Sequence, residues 1–264
     1  MRDRSANRLQ IVGAGVSGTR QLTIEGVLAI EEAYRVITLS ASADDIEKMN
    51  RNILRLDRLY WSRRADWGTY RALAKTVVEE ARRVGGKVAF VVDGNPAIFD
   101  DITWETYRLA RRYGLEVSIV PGISTIDVLP IRLHFDPGNA GLQVVEANQL
   151  VVYRLQLNPE MSTLILQVGW FGTAVLRRRQ HSSGSRLRLL TRHLLNFYAG
   201  THPAVFLFAH RLHDDVIETT VADLPRVARD VHPGMTLFLP RLPIRVRDKA
   251  FFRSLYKEGG SRCR

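Results

Sequence analysis

Cysteine is nearly missing from this chain. Cys263 is the one thiol in 264 residues, which excludes a disulfide framework and a cysteine-based metal site, so no metal is expected. Long apolar runs are missing as well: nothing approaches the roughly 20 residues needed to cross a bilayer. Met1-Arg2-Asp3-Arg4 passes into a polar stretch with no apolar signal-peptide core. A cytoplasmic protein with no membrane partner is therefore the expectation. There is no internal repeat and no low-complexity segment, which sets aside solenoid architectures.

Acidic residues are outnumbered. Asp and Glu total 27 against 38 Lys and Arg, a formal charge of +11 on a chain that is otherwise ordinary for a globular protein, 45% hydrophobic and 25% charged. The excess is arginine in short groups: Arg63-Arg64, Arg82-Arg83, Arg111-Arg112, Arg177-Arg178-Arg179, then Arg186, Arg188 and Arg192. Most fall on the polar faces of helical segments, where a charge run reads as solvated surface. Aromatic rings are not interleaved with them as a nucleic-acid stacking platform requires. Nucleic acid is thus not the expected partner, while an acidic peptide or polyanionic small molecule stays open.

What is present is a strand–helix rhythm. Leu9–Gly13 is a short apolar run closed by glycine, and Ile24, Val27, Leu28 and Ile30 recur at helical spacing over Thr23–Ala33. Tyr34–Leu39 is β-branched and strand-like. Thr69–Val84 is an amphipathic helix with Leu73, Ala74, Val77 and Ala81 on one face, ended by Gly85-Gly86. Val88–Val92 is a buried strand, followed by a helix near Thr103–Tyr113 and a strand at Glu116–Val120. Alternation of this kind predicts a parallel sheet covered on both faces. After about residue 140 the rhythm changes. Leu150–Leu155, Thr163–Val168, Ala204–Phe208 and Met235–Leu239 are strand-like, Val216–Val221 alternates as an edge strand does, and only Arg186–Ala199 is clearly helical. The expected organisation is an α/β chain of two lobes, at 1–138 and 139–242, with a mostly parallel sheet in the first, a mixed sheet in the second and a basic, pattern-poor tail at 243–264.

Gly13-Ala14-Gly15-Val16-Ser17-Gly18 matches G-x-G-x-x-G after a strand, the outline of a dinucleotide loop. Thr19-Arg20-Gln21 delays the helix that should hold a pyrophosphate, and the second strand ends Thr38-Leu39-Ser40 without the acid that holds a ribose. A tight turn with no ligand accounts for the glycines equally well. Two more strand exits carry glycine, Asp93-Gly94-Asn95-Pro96 and Pro121-Gly122, the latter followed by Ser124-Thr125. Ligands in open α/β sheets collect outside the carboxyl ends of strands, so the three exits are expected to converge on one crevice.

Taken together, the strand ending VGAG, LTIEGVLAIEEA, DGNPAIF and VPGIST, in this order, resemble the tetrapyrrole methylase superfamily of S-adenosylmethionine methyltransferases. His134–Gly141, then Val145-Glu146-Ala147 and Leu166-Gln167-Val168-Gly169, resemble its borosin branch, which methylates backbone amides of a ribosomal peptide. The resemblance spans about Gln10 to Pro240. It implies two α/β lobes with S-adenosylmethionine, or its product S-adenosylhomocysteine, in the cleft between them, and a homodimer. Carried over by position, it implies cofactor contacts from Gly13; from Asp93, Gly94, Asn95, Ala97, Ile98 and Phe99; from Ser124 and Thr125; and from Gln167, Val168, Ala209 and Thr236. Plain core is the alternative for Ile98, Phe99 and Val168.

At the catalytic end the match is partial. The resemblance assigns Tyr60 and Tyr70 to two tyrosine positions around the acceptor, but Asp66 replaces the arginine expected four residues before Tyr70, and Asp93 replaces the tyrosine expected before Gly94. Arg63, Arg64 and Trp67 are the nearby candidates for holding the acceptor, and Tyr60, Tyr70 and Asp93 for catalysis. An amide nitrogen is a poor nucleophile until its proton moves and charge develops on its oxygen. A phenol relays such a proton; Asp93 serves as a base or faces the cationic sulfonium. Trp61 and Trp67 form a water-excluding wall or simply pack. The tail after Pro240 is short and basic, so the expectation is the bacterial split arrangement with a separate peptide substrate. A tetrapyrrole or other small acceptor, and a partner protein that binds cofactor without turnover, are the alternatives.

Overall fold

The computed structural model describes residues 8–61, 66–173, 182–209 and 214–257. The first half is a parallel sheet built from β1 (Arg8–Gly13), α1 (Ile24–Glu32), β2 (Arg35–Leu39), α2 (Ala43–Met49), β3 (Ile53–Arg55), the single turn α3 (Asp57–Tyr60), α4 (Asp66–Val84), β4 (Lys87–Val92), α5 (Asp101–Arg112), β5 (Glu116–Val120) and α6 (Thr125–Arg132). Its strands run β3-β2-β4-β1-β5, and every pairing is parallel. Parallel strands bury both faces, hence their nearly unbroken apolar sequences. One face packs Leu9, Ile11, Ile37, Val88 and Phe90 against Leu73, Val77 and Ala81 of α4. The other packs Val12, Val36, Ala89 and Val91 against Ala29 and Ile30 of α1.

The second half comprises β6 (Leu142–Glu146), α7 (Ala147–Val152), β7 (Ser162–Leu166), α8 (Gly184–Leu194), β8 (Pro203–Ala209), β9 (Asp214–Thr220), β10 (Thr236–Leu239) and α9 (Lys249–Lys257). Its sheet runs β6-β7-β10-β8-β9, with β6 and β7 parallel and the other pairs antiparallel. Leu187, Leu190 and Leu194 of α8 cover one face together with Leu150 of α7. The other face is covered by Val128 and Leu129 of α6, which pack on Leu164, Leu207 and Phe238. So α6, though it follows the first sheet, is part of the second core.

The expected fold class holds: an α/β chain with one parallel and one mixed sheet. Three local expectations do not. Leu150–Leu155 is not a strand; it contains the end of α7, and the strand lies just before it at β6. The Glu146 carboxylate accepts from Gln149 N at 2.7 Å and caps α7, and Ala147 and Leu150, one turn apart, face the core. A short apolar run carries no period of its own, so the cap decides it. The segment Ala43–Met49, not foreseen as a helix, is α2, whereas α6 begins at Thr125 with Ser124 as its cap, where the hydroxyl pair after Gly122 reads as a helix start. The tail is not patternless either, since Lys249–Lys257 forms the amphipathic α9 with Phe251, Phe252 and Leu255 exposed.

Candidate active site

The three glycine-bearing exits meet, but in backbone contact with one another and not around a common crevice. Gly13 stands beside Val92 in the β1–β4 ladder, and Val12 stands beside Val120 of β5. Beyond the ladder, Gly15 N donates to Gly94 O at 3.2 Å and Gly94 N donates to Gly15 O at 3.0 Å. A Cβ on Gly13 would sit 2.5 Å from Gly94 O, and one on Gly122 would sit 2.3 Å from the same oxygen. The glycines therefore let three chains touch; they leave no gap for a ligand between them. Their effect is to lay the following loops side by side.

Of the three, only the loop after β4 borders the nearby cavity of about 700 Å³. The first sheet contributes Ser40 and Ala41 after β2, Asp57, Tyr60 and Trp61 on and after α3, Tyr70 on α4, Asp93 after β4, and Ile98 to Ile102 leading into α5. The second sheet contributes Glu146, Asn148, Gln149, Gln167, Trp170, Thr173, Pro233 and Gly234. Parallel pairing puts the ends of β6 and β7 at the same level, and β10, antiparallel to β7, begins there. Trp61 lies over Trp170 with centroids 6.4 Å apart and planes 27° apart, joining the two walls, and Tyr60 meets Trp61 edge-on at 4.6 Å. Phe99 (φ 52°) and Gln167 (φ 61°) both hold left-handed backbone on the cavity wall, a conformation that costs a non-glycine residue free energy and recurs at functional sites.

Asp57, Asp93, Asp100, Asp101 and Glu146 line this wall, and among the described residues none of the lining is basic. Asp93 follows β4 next to Ser40, which follows β2, because Val92 and Leu39 are register partners. Its carboxylate accepts from Ser40 Oγ at 2.5 Å and from Ala41 N at 3.1 Å. Its accessible surface opens on the cavity while protein crowds it on the other sides. That crowding pushes the Asp93 carboxyl above the usual range, the two hydrogen bonds pull it back in part, and the nearby charge of Asp57 adds to the rise. Asp100 is pushed up by burial in the same way, against the pull of the hydrogen bonds it accepts from Thr103 and Ile102 as the cap of α5. Among the described residues no three such groups stand close enough to hold a metal ion.

Of the residues singled out in the sequence, the structure gathers Tyr60, Tyr70, Asp93, Ile98, Phe99 and Gln167 around the cavity. Tyr60 and Tyr70 also rest against the first core from its edge. Gly13 and Gly94 stand behind the wall in the glycine contact. Asn95 turns the loop, its Oδ1 accepting from Ala97 N at 3.0 Å. Ser124 does not reach the cavity: its hydroxyl is buried in a capping box with Asp127 at the start of α6, and Thr125 is the first helical residue. Val168 and Thr236 are buried, Val168 in the second core. Trp67 is 54% exposed with Arg71 over its ring at 5.1 Å, and is not among the lining residues. Arg63 and Arg64 lie outside the described residues, as does the side chain of Ala209. Sequence reasoning missed Ser40, Asp57, Asp101 and Trp170. Ser40 and Asp101 each stand directly beside a recognised strand end or motif, which is a usable signal; Asp57 has none.

The model of the Tetrapyrrole (Corrin/Porphyrin) Methylases matches residues 8–225. Among curated proteins the chain is similar to a methyltransferase and type II borosin cyclic peptide precursor of Phlebiopsis gigantea, 26% identical over 91% of this chain and 44% of that protein. It is also similar to the methyltransferase and omphalotin A precursor of Omphalotus olearius, 28% identical over 89% of this chain and 58% of that one. The chain thus spans about half the length of the curated relatives it matches. Among solved structures, cobalt precorrin-4 methyltransferase superposes with a TM-score of 0.65 at 16% identity, over 91% of this chain and 97% of that one. Uroporphyrin-III-C-methyltransferase from Thermus thermophilus does so with 0.65 at 19%, over 89% and 94%. At these identities the structures attest the fold.

Proposed function

The chain belongs to the tetrapyrrole (corrin/porphyrin) methylase family, and on that premise we propose that it is a methyltransferase using S-adenosylmethionine, with a peptide backbone amide as acceptor. The observation that carries this reading is the cavity between the sheets, lined from both sides by Asp93, Phe99 and Gln167. Its volume falls in the range of small-molecule and cofactor sites, about 300–1,000 Å³. The donor set fits: carboxylates suit a sulfonium and an ammonium group, side-chain amides at Asn148, Gln149 and Gln167 suit polar edges, and Ile98 and Phe99 suit a flat ring. The cofactor, when bound, would supply an electrophilic methyl group. In this reading Asp93 lies beside the positive end of the cofactor. Tyr60 and Tyr70, ten positions apart in sequence but on one wall, hold the acceptor amide and pass on its proton as the nitrogen takes the methyl group.

The peptide acceptor rests on the curated relatives, whose names join a methyltransferase to a cyclic peptide precursor. Supply of that peptide as a separate chain, in the cytoplasm, belongs to the same proposal, as does a homodimer. Ile24 and Leu28 on α1, Ile131 on α6, and Phe251, Phe252 and Leu255 on α9 are exposed apolar side chains of the kind a second copy covers. Among the described residues no helix is long and apolar enough to cross a membrane. Calorimetric titration with S-adenosylmethionine and S-adenosylhomocysteine tests the core of the reading, and absence of binding by both would end it. Intact-mass measurement of peptides incubated with enzyme and cofactor tests the acceptor: a gain of methyl groups on backbone nitrogens is expected, and modification confined to a tetrapyrrole would replace that part.

A further inference from the structure

Beyond Leu39 and Val92, the last register pair of β2 and β4, the two chains continue side by side as Ser40 and Asp93. These residues are 53 positions apart in sequence, so strand order alone brings them together. Ser40 is only 3% exposed although it borders the cavity. A hydroxyl has one proton to give. Ser42 N donates into the Ser40 oxygen at 3.1 Å, and the hydroxyl proton goes to Asp93 Oδ1 at 2.5 Å. Ala41 N donates to Asp93 Oδ2 at 3.1 Å. The turn that holds the carboxylate is itself held: Ala43 N donates to Ser40 O and Ile46 N to Ser42 O at the start of α2. On its other side it meets the first glycine loop, where a Cβ on Gly18 would stand 2.9 Å from Ser42 Oγ. A serine needed only for the turn would accept from Ser42 N and no more. The bond to Asp93 does something further, because the torsion that swings a carboxylate about its Cβ–Cγ bond is soft. With Oδ1 held by Ser40, Oδ2 accepts only from Ala41 N among the described residues and keeps a lone pair for a ligand. Crowding raises the Asp93 carboxyl, and the bond from Ser40 opposes that rise more than the bond from Ala41 does.

We propose that Ser40 is a positioning residue: it orients the Asp93 carboxylate toward the sulfonium of S-adenosylmethionine, and the Ser40–Asp93 pair thereby sets the preference for the charged cofactor over its neutral-sulfur product. This rests on the reading of the cavity as the cofactor site and adds how that site tells cofactor from product. Ser40 acts through Asp93 and touches no reacting atom. An oriented carboxylate acts on a charged sulfur and hardly on a neutral one. Its loss therefore appears in the ratio of the two affinities, whereas damage to the turn would weaken both ligands alike.

The test is calorimetric titration of S-adenosylmethionine and S-adenosylhomocysteine into wild type, Ser40→Ala, Ser40→Thr, Asp93→Asn and the Ser40→Ala, Asp93→Asn double variant, with thermal midpoints as the check on folding. In Asp93→Asn the affinity for S-adenosylmethionine relative to S-adenosylhomocysteine is expected to fall about tenfold, and in Ser40→Ala about threefold to tenfold. Ser40→Thr keeps the hydroxyl and is expected to stay within about twofold of wild type. In the Asp93→Asn background Ser40→Ala should move the ratio by less than about twofold, because no charge is left to orient. Should Ser40→Ala not fold, Ser40→Cys, near in size and a weak donor, takes its place with the same expected fall. An unchanged ratio without the hydroxyl overturns the proposal, as does a threonine variant that falls as far as alanine, or an equal fall in the Asp93→Asn background. Absence of binding of both ligands to wild type would sink the methyltransferase reading and the proposal with it. Binding of both with an unmoved ratio sinks the proposal alone, so the two failures are distinct.

Discussion

In the first sheet every strand runs the same way, so all the carboxyl ends and the loops after them emerge on one side; in the second only β6 and β7 are parallel, and the site takes the ends of those two together with the start of β10. The first sheet reaches close packing of its exits through glycine, backbone against backbone at Gly13, Gly94 and Gly122. The second has, among the described residues, a single such contact beside the site, Gly169, where an added Cβ would sit 2.2 Å from His232 O, and it adds the side chains Glu146, Gln167 and Trp170. Both walls are thus pinned by main-chain contact that tolerates no added atom, through three exits at once in the first and one loop pair in the second.

The sharpest way to break that contrast is at the glycines. Gly122→Val places new atoms against Gly94 O, which belongs to the backbone and has nowhere to move. A loss of about 3 kcal/mol or more is expected, leaving little folded protein, whereas Gly200→Ala, away from either main-chain contact, meets Ala222 Cβ at 3.3 Å and Leu195 Cδ2 at 3.8 Å and should cost less than about 1 kcal/mol. Urea midpoints of the two variants measure the difference; equal losses would show that the main-chain contact is not what makes Gly122 intolerant.

Next in size is the effect of the first wall's phenols on turnover. Tyr60→Phe and Tyr70→Phe should each slow methyl transfer by roughly 10²–10⁴-fold, the usual contribution of an acid–base group. The affinity for S-adenosylhomocysteine should stay nearly constant, since the proposed reading assigns the two phenols to the acceptor and not to the cofactor. Single-turnover rates beside calorimetry separate the outcomes. Wild-type rates in both variants would reduce the tyrosines to packing at the edge of the first core.

A smaller effect concerns pH. The native Asp93 carboxyl is held above its ordinary value of 3.8 by crowding, with hydrogen bonds from Ser40 and Ala41 opposing and Asp57 assisting. The folded chain therefore keeps this proton to higher pH than the unfolded chain, and the stabilisation it gives is full below the unfolded value and lost as pH rises through the folded one. Asp100 shifts in the same direction and adds to the loss. Asp93→Asn should flatten part of this decline and raise the thermal midpoint at neutral pH, at the expense of cofactor binding. An unchanged pH profile in the variant would show that the Asp93 charge is not strained.

The smallest expected change is a gain. Gly68 lies within α4 and an added Cβ there meets nothing within 4 Å, so Gly68→Ala should stabilise by about 0.5–1 kcal/mol. A denaturation midpoint at or below wild type would mean that this glycine is needed for a contact with the loop before it.

The two halves also differ in how far they were legible. The strands of the first sheet are apolar runs closed by glycine or acid, and α4 shows its stripe over five turns, so periodicity alone identifies them. β6 and α7 adjoin without a turn between them, and a single strand-like assignment fell across the helix. Only the start of α6 was legible, at Ser124-Thr125, because its apolar residues Val128, Leu129 and Ile131 form too short a run to show a period. The candidate site divides likewise. Asp93, Phe99 and Gln167 sit in motifs with recognisable order, while Ser124, equally motif-borne, turned inward to cap a helix.

Local sequence by itself determined the strand–helix alternation, the three glycine exits, the cationic surplus and the membership of the motifs in one order, because each depends on neighbours a few residues apart. Only the tertiary structure decided which acids share a cavity. Asp57, the Asp93–Asp101 loop and Glu146 are tens of residues apart, and their meeting depends on strand register: Leu39 beside Val92, Glu146 beside Leu166. Register is set by packing across the whole sheet, and no local pattern encodes it. Thus a chain that is basic by composition gathers five carboxylates on one cavity wall among its described residues, and the physical reason is that charge adds over distance in space, not over distance along the chain.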